Sequence, residues 1–156
     1  MHEEHHHQPQ NGSNLKLAIA ATLHCLLGCG IGEVLGLIIG TAAGLSNLQT
    51  IVLSVGLAFM FGYALSVLPL LRAGMVAKTA FRLVLAADTL SIITMEIADN
   101  TVMAAVPGAM GAGLANGLFW VTMLLSLAIA FVVAVPVNKL LLDRGKGHAL
   151  IHGHHH

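Results

Sequence analysis

Hydrophobic and polar positions in this chain alternate on a long scale, not every second or every fourth residue. Four apolar runs follow one another, at about 15–45, 48–71, 80–106 and 114–141. The breaks between them are short and polar or glycine-rich: "SNLQ", "RAGMVAK" and "PGAMGAG". A helix needs about 20 apolar residues to cross roughly 30 Å of hydrocarbon, and each run is long enough. The first is longer than required, so it is expected to tilt or to protrude. Pro69 and Pro136 fall near the ends of the second and fourth runs, where proline is tolerated. The pattern predicts an all-α fold, an integral membrane bundle of four transmembrane helices. This unit fills residues 15–142, between a tail at 1–14 and a second tail at 143–156.

Composition agrees with a bilayer environment. Of 156 residues, 56% are hydrophobic and only 9% are charged. Mean hydropathy is +0.84. A soluble domain carries about 25% charged residues, so these charges are too few to solvate a globular surface. The formal net charge is zero, which gives no reason to expect a nucleic-acid partner.

The seven basic residues settle the expected orientation. Lys16 precedes the first run, and Arg72, Lys78 and Arg82 surround the second break. Lys139, Arg144 and Lys146 close the fourth run, while the first and third breaks carry none. By the positive-inside rule both termini are cytoplasmic, in the inner (cell) membrane. Phe119 and Trp120 then sit near the outer end of the fourth span, as an aromatic belt would. "LLGC", residues 26–29, resembles a lipoprotein cleavage box, but His24 interrupts the apolar stretch before it and another apolar run follows it. No cleavage is expected there.

Inside the first run Gly28, Gly32, Gly36, Gly40 and Gly44 recur every fourth residue. At 3.6 residues per turn such positions drift slowly around one side of a helix. They predict a small-residue face on which another helix packs closely, in this chain, in a second copy or in a partner membrane protein. Cys25, Cys29 and Glu33 take the same step and lie within about 80° of each other, overlapping the glycine sector. His24 points about 100° away from Cys25.

The third run, "LAADTLSIITMEIADNTVM", carries Asp88, Glu96 and Asp99. These acids share a sector of roughly 100° with Ile92, Met95 and Met103. Each charge in hydrocarbon costs about 2.5–3.5 kcal/mol on insertion scales, so this sector should face the protein interior or water. The first and third runs cross in the same direction, so their depths compare. At about 1.5 Å per residue, His24 and Cys25 lie about 14 Å in, near Asp88 at about 12 Å. Glu33 lies about 27 Å in, near Glu96 and Asp99 at about 24–28 Å. Two polar levels are expected: an inner one of His24, Cys25 and Asp88, and an outer one of Glu33, Glu96 and Asp99. Three carboxylates at one level with no base must be partly protonated, hydrated or bound to a cation.

Nine of the ten histidines lie near the ends, in "HEEHHH" and in "HALIHGHHH" with His148, and these interrupted clusters read as native. Imidazole is a common metal ligand.

Three long blocks, "LHCLLGCGIGEVLGLIIGT", "LAADTLSIITMEIADNTVMAAVPGAM" and "FVVAVPVNKLLLDRGKGHA", resemble the prokaryotic membrane-protein family catalogued as domain of unknown function DUF4396. The resemblance spans about residues 15 to 150. It implies a four-helix, multi-pass protein of the bacterial or archaeal cell membrane, and it carries no activity with it.

Residue chemistry offers three functions. Cys25, Cys29, His24, Met95 and Met103 form a candidate set for a transition metal of the copper or zinc class, bound or transported through the helix interface. The plainer reading of the cysteines is small apolar residues packed beside glycines, and of the methionines core filling. Glu33, Asp88, Glu96 and Asp99 form a candidate proton or cation path, or else a polar network that sets helix register. The glycine ladder offers assembly, through a homo-oligomer or another membrane protein. An enzyme is not expected: the cysteine spacing is C-x-x-x-C rather than the C-x-x-C of thiol oxidoreductases, and no phosphate-binding glycine loop is present.

Overall fold

The structure is a computed structural model that describes residues 10–152. Helices α1 (Gln10–Ala42), α2 (Asn47–Arg72), α3 (Ala77–Ala105) and α4 (Gly117–His152) account for nearly all of it, and no strand is present among the described residues. The histidines before residue 10 and after residue 152 lie outside the described residues.

Local chemistry places the helix ends. α1 stops before position 45 because Gly44 takes φ 66°, a left-handed conformation that costs other residues about 1–2 kcal/mol. The Leu45 amide then closes back on the Gly40 carbonyl at 2.9 Å. Two residues later Ser46 and Gln49 form a reciprocal capping box that starts α2. α2 runs through Pro69 and ends at a turn containing Gly74, φ 86°. Before α4, the Asn116 side-chain oxygen accepts from the Leu118 amide at 3.0 Å.

The short connections make successive helices antiparallel. α1 packs on α2, α3 and α4, and α3 packs on α2 and α4, while α2 and α4 lie on opposite flanks without touching. Contact between α1 and α3 therefore runs through the middle of the bundle.

The glycine ladder forms the seam between α1 and α2. A Cβ added at Gly28 would come within 2.6 Å of the Gly62 backbone. One at Gly32 would strike the Ala58 backbone, one at Gly36 would strike Ser54, and one at Gly40 would meet Thr50 at 2.5 Å. Both helices are thus read at a four-residue step, in opposite directions. The ladder face is covered inside the chain by α2, the first of the settings that its spacing allows. One expectation is corrected. Gly44 is not part of the seam; it faces open space and serves the turn.

Three helices contain stretches long and apolar enough to cross a membrane: Asn14–Ala42, Asn47–Arg72 and Gly117–Arg144. Their outward faces carry exposed Leu23, Leu27, Val52, Val121, Leu124 and Val132, which suits contact with lipid. α3 differs in composition. Its buried stripe of Ala80, Val84, Asp88, Ser91, Ile92, Met95, Glu96 and Asp99 holds all three of its acids, while Leu83, Leu90, Ile93 and Ile97 are exposed. The helix is polar inside and apolar outside, so the charges that lower its hydropathy are turned away from the surroundings.

Candidate functional site: a carboxylate-floored vestibule

The middle of the bundle has two kinds of filling. Cys25, Cys29, Ala58, Ile92, Met95, Ala130 and Ala134 make an apolar core. Beyond it, towards the end that carries the α1–α2 and α3–α4 connections, the helices enclose a cavity of about 300 Å³. Its floor is Glu33 from α1 with Glu96, Asp99 and Asn100 from α3. Thr50 and Ser54 of α2 add hydroxyls, and Leu37, Val55, Met103, Phe119 and Met123 give apolar walls. No Lys, Arg or His lines it among the described residues.

The floor forms where it does because α1 and α3 cross the bundle in the same direction. Glu33 lies beside Asp99 and faces Glu96 across the seam. The Ser126 hydroxyl of α4 lies between the Asp99 carboxyl, to which it donates, and the Met123 carbonyl at 2.8 Å. Asn100 donates through Nδ2 to the Glu96 carbonyl at 2.8 Å and more loosely to Glu96 Oε2 at 3.4 Å. Two of the carboxylate oxygens are left over. Oε1 of Glu33 and Oε1 of Glu96 are buried without a hydrogen-bond partner. Glu96 is only 6% exposed, and Asp99 4%. Buried polar atoms of this kind are rare and costly, and these two belong to acids that line the cavity floor.

A smaller polar group lies deeper. Cys25 Sγ is 3.8 Å from Ser66 Oγ of α2, and buried Asp88 neighbours both. Cys29 lies between this level and the floor, beside Glu96. Nearer the other end of the bundle Asn138 Nδ2 donates to Thr22 Oγ1 at 2.7 Å, and Asn14 donates to Asp143 at 2.6 Å. Polar pairs thus recur along the length of α1, linking it to α2, to α3 and twice to α4.

The outer level of Glu33, Glu96 and Asp99 comes together as its spacing predicts. The inner level is altered. His24 is exposed on the outside of the bundle, where its Nδ1 donates to the Ala20 carbonyl of its own helix at 2.8 Å. It does not join Cys25 and Asp88; Ser66 takes that place. The 100° offset from Cys25 carries the imidazole out of the seam.

The candidate metal set is divided in the same way. Cys25, Cys29 and Met95 share the apolar core, with both cysteines free and buried. Met103 stands on the cavity wall, and His24 is outside. Among the described residues no three His, Cys, Asp or Glu side chains are grouped to hold a metal ion.

Sequence reasoning did not single out Ser66, Ser126, Thr22 or Asn138. Ser66 and Ser126 are lone polar residues in the apolar stretches "LSVLP" and "LLSLA", and Thr22 and Asn138 lie near His24 and Lys139 in "AATLH" and "VPVNK"; small polar residues in a membrane helix usually turn inward to a partner.

No curated protein and no solved structure matches the chain. A protein-family model does: the one described as a domain of unknown function, DUF4396, covers residues 15–147. The three quoted blocks lie almost wholly inside that range, and with most of its length matched the chain belongs to the DUF4396 family.

Proposed function

We propose that this chain is a four-span protein of the cell membrane that takes a cation into the carboxylate-floored vestibule and passes protons along the acids of the α1–α3 seam. The observation that carries the reading is the meeting of Glu33, Glu96 and Asp99 at the base of an open cavity, with buried unpaired carboxylate oxygens and, among the described residues, no basic side chain in the lining. Two neighbouring carboxylates in a poorly solvated site need a proton or a cation between them, so the site changes its charge as either one arrives. Asp88, with Cys25 and Ser66, is the next polar station along the same seam.

α3 counts as the fourth span because its acids face the interior and its outer face is apolar, which supports insertion despite its composition. The basic residues at the α2–α3 turn and at both ends of the chain support cytoplasmic termini, which leaves the vestibule open to the opposite side. A transition-metal site has less support: its imidazole lies outside the bundle and its thiols pack among alanines, glycines and Ile92.

The test is proton flux into liposomes containing the purified chain, read with an enclosed pH dye under an imposed membrane potential. The wild type should exceed empty liposomes. Glu96→Gln, Glu33→Gln and Asp99→Asn should each lower the flux at least about tenfold, a barrier change of about 1.4 kcal/mol. His24→Ala should leave it unchanged. Flux equal to that of empty liposomes, or unaffected by all three acid variants, contradicts the reading.

A further inference from the structure

We infer that the cation recognised in the vestibule is an organic amine, an ammonium head on an apolar body, rather than a bare metal ion. This rests on the reading of the vestibule as a cation site and names the class of ligand.

Size gives the first reason. The cavity is about 300 Å³. That is at the lower end of small-molecule pockets, roughly 300–1,000 Å³, and about ten times the volume of one water at roughly 30 Å³. A metal ion is held by oxygens drawn in to about 2.0–2.6 Å, and leaves no such space around it. Grouping gives the second: among the described residues no three His, Cys, Asp or Glu side chains are grouped so that they could hold a metal ion. The floor is a row of acceptors, not a cage.

The walls give the third reason. Leu37, Val55, Met103, Phe119 and Met123 surround the space above the acids. They offer nothing to the water shell of an inorganic ion, whereas they would bury the carbon body of an amine. The head would meet the floor. Oε1 of Glu96 and Oε1 of Glu33 are buried acceptors without donors, and Glu96 as a residue is only 6% exposed. An ammonium at this floor brings N–H donors and a positive charge, so it offsets the repulsion between the acids that line it. Phe119, only 6% exposed, adds an aromatic wall at the cavity.

The experiment measures equilibrium binding of tritiated 2-phenylethylamine to the full chain in lipid nanodiscs at pH 7. Saturable binding at one molecule per chain is expected. Unlabelled amine should compete, while 2-phenylethanol, its neutral counterpart, and calcium or manganese chloride should not. Two variants probe the two parts of the site. Glu96→Gln removes a head acceptor at nearly constant shape, and Val55→Phe fills the wall and leaves the acids in place. Each should weaken binding at least tenfold while the chain still elutes as a single folded species. The inference is overturned if binding is not saturable, if the alcohol or the metal salts compete as well as the amine, or if both folded variants bind like the wild type. Should proton flux depend on Glu96 while no amine binds, the cation pathway stands and this inference fails. Should the amine bind as described without any proton flux, the inference stands and the pathway fails.

Discussion

The two seams made by α1 differ in what fills them. Against α2 it presents Gly28, Gly32, Gly36 and Gly40, and the backbones approach until no Cβ fits. Against α3 it presents Cys25, Cys29 and Glu33 to Asp88, Met95, Glu96 and Asp99, and the helices make only limited contact. One seam is steric. The other ends in a cavity with unpaired acceptors. In lipid no hydrophobic force drives one helix against another, so close backbone packing must hold the pair together. The glycine seam supplies that stability, and the polar seam, which costs stability, sits against it. A single helix carries both by placing them on adjacent sectors of one four-residue pattern.

Substitutions in the two seams should therefore have opposite signs. The largest loss is expected for Gly32→Leu, whose side chain would strike the Ala58 backbone. Backbone cannot yield as a side-chain tip can, so about 3 kcal/mol or more of stability should go, measured by reversible unfolding in mixed micelles. The next largest effect is a gain. Glu96→Met replaces a buried, partly unpaired carboxyl with an apolar chain of similar length. Stability should rise by about 2 kcal/mol in the same assay, while proton flux is lost. A loss of stability on that change would mean that the acids hold the bundle together, and the contrast between the seams would not stand.

Gly44→Ala sharpens the boundary of the steric seam. Gly44 keeps the ladder spacing but touches nothing within 4 Å, and its φ of 66° is the reason for glycine. The cost should be about 1 kcal/mol, from backbone strain, and well below that of Gly32→Leu. Ser126→Ala should cost least, about 0.6 kcal/mol, a typical value for hydrogen bonds between membrane helices. It removes the donor that fixes Asp99, so the flux should also respond.

Much of the architecture was legible in the sequence because bilayer physics reduces it to run length and periodicity. The four runs, the breaks at "SNLQ", "RAGMVAK" and "PGAMGAG", and the shared face of Asp88, Glu96 and Asp99 all follow from these alone. The ladder was legible as a close-packing face, but its partner was not. A run of glycines does not say which helix covers it, and only the matching row of Thr50, Ser54, Ala58 and Gly62 identifies α2. Gly44 shows the opposite difficulty, since spacing joins it to the ladder and backbone conformation removes it. His24 was grouped by depth, and depth fixes only the level. Direction around the helix decides contact, and it sends the imidazole outward. The cavity could not be read at all, because it arises from what the residues at 109–113 and the ends of α1 and α2 leave unfilled.

The central claim is that the acids of α1 and α3 face each other inside the bundle. Cysteine cross-linking in native membranes tests it most directly, with Cys25→Ser and Cys29→Ser removing the native thiols. Glu33→Cys with Asp99→Cys should form an intramolecular disulfide under mild oxidation, found by mass spectrometry of the monomer, whereas Glu33→Cys with Ile97→Cys, a position 64% exposed on the outer face of α3, should not. A bridge with position 97 and none with position 99 would contradict the account.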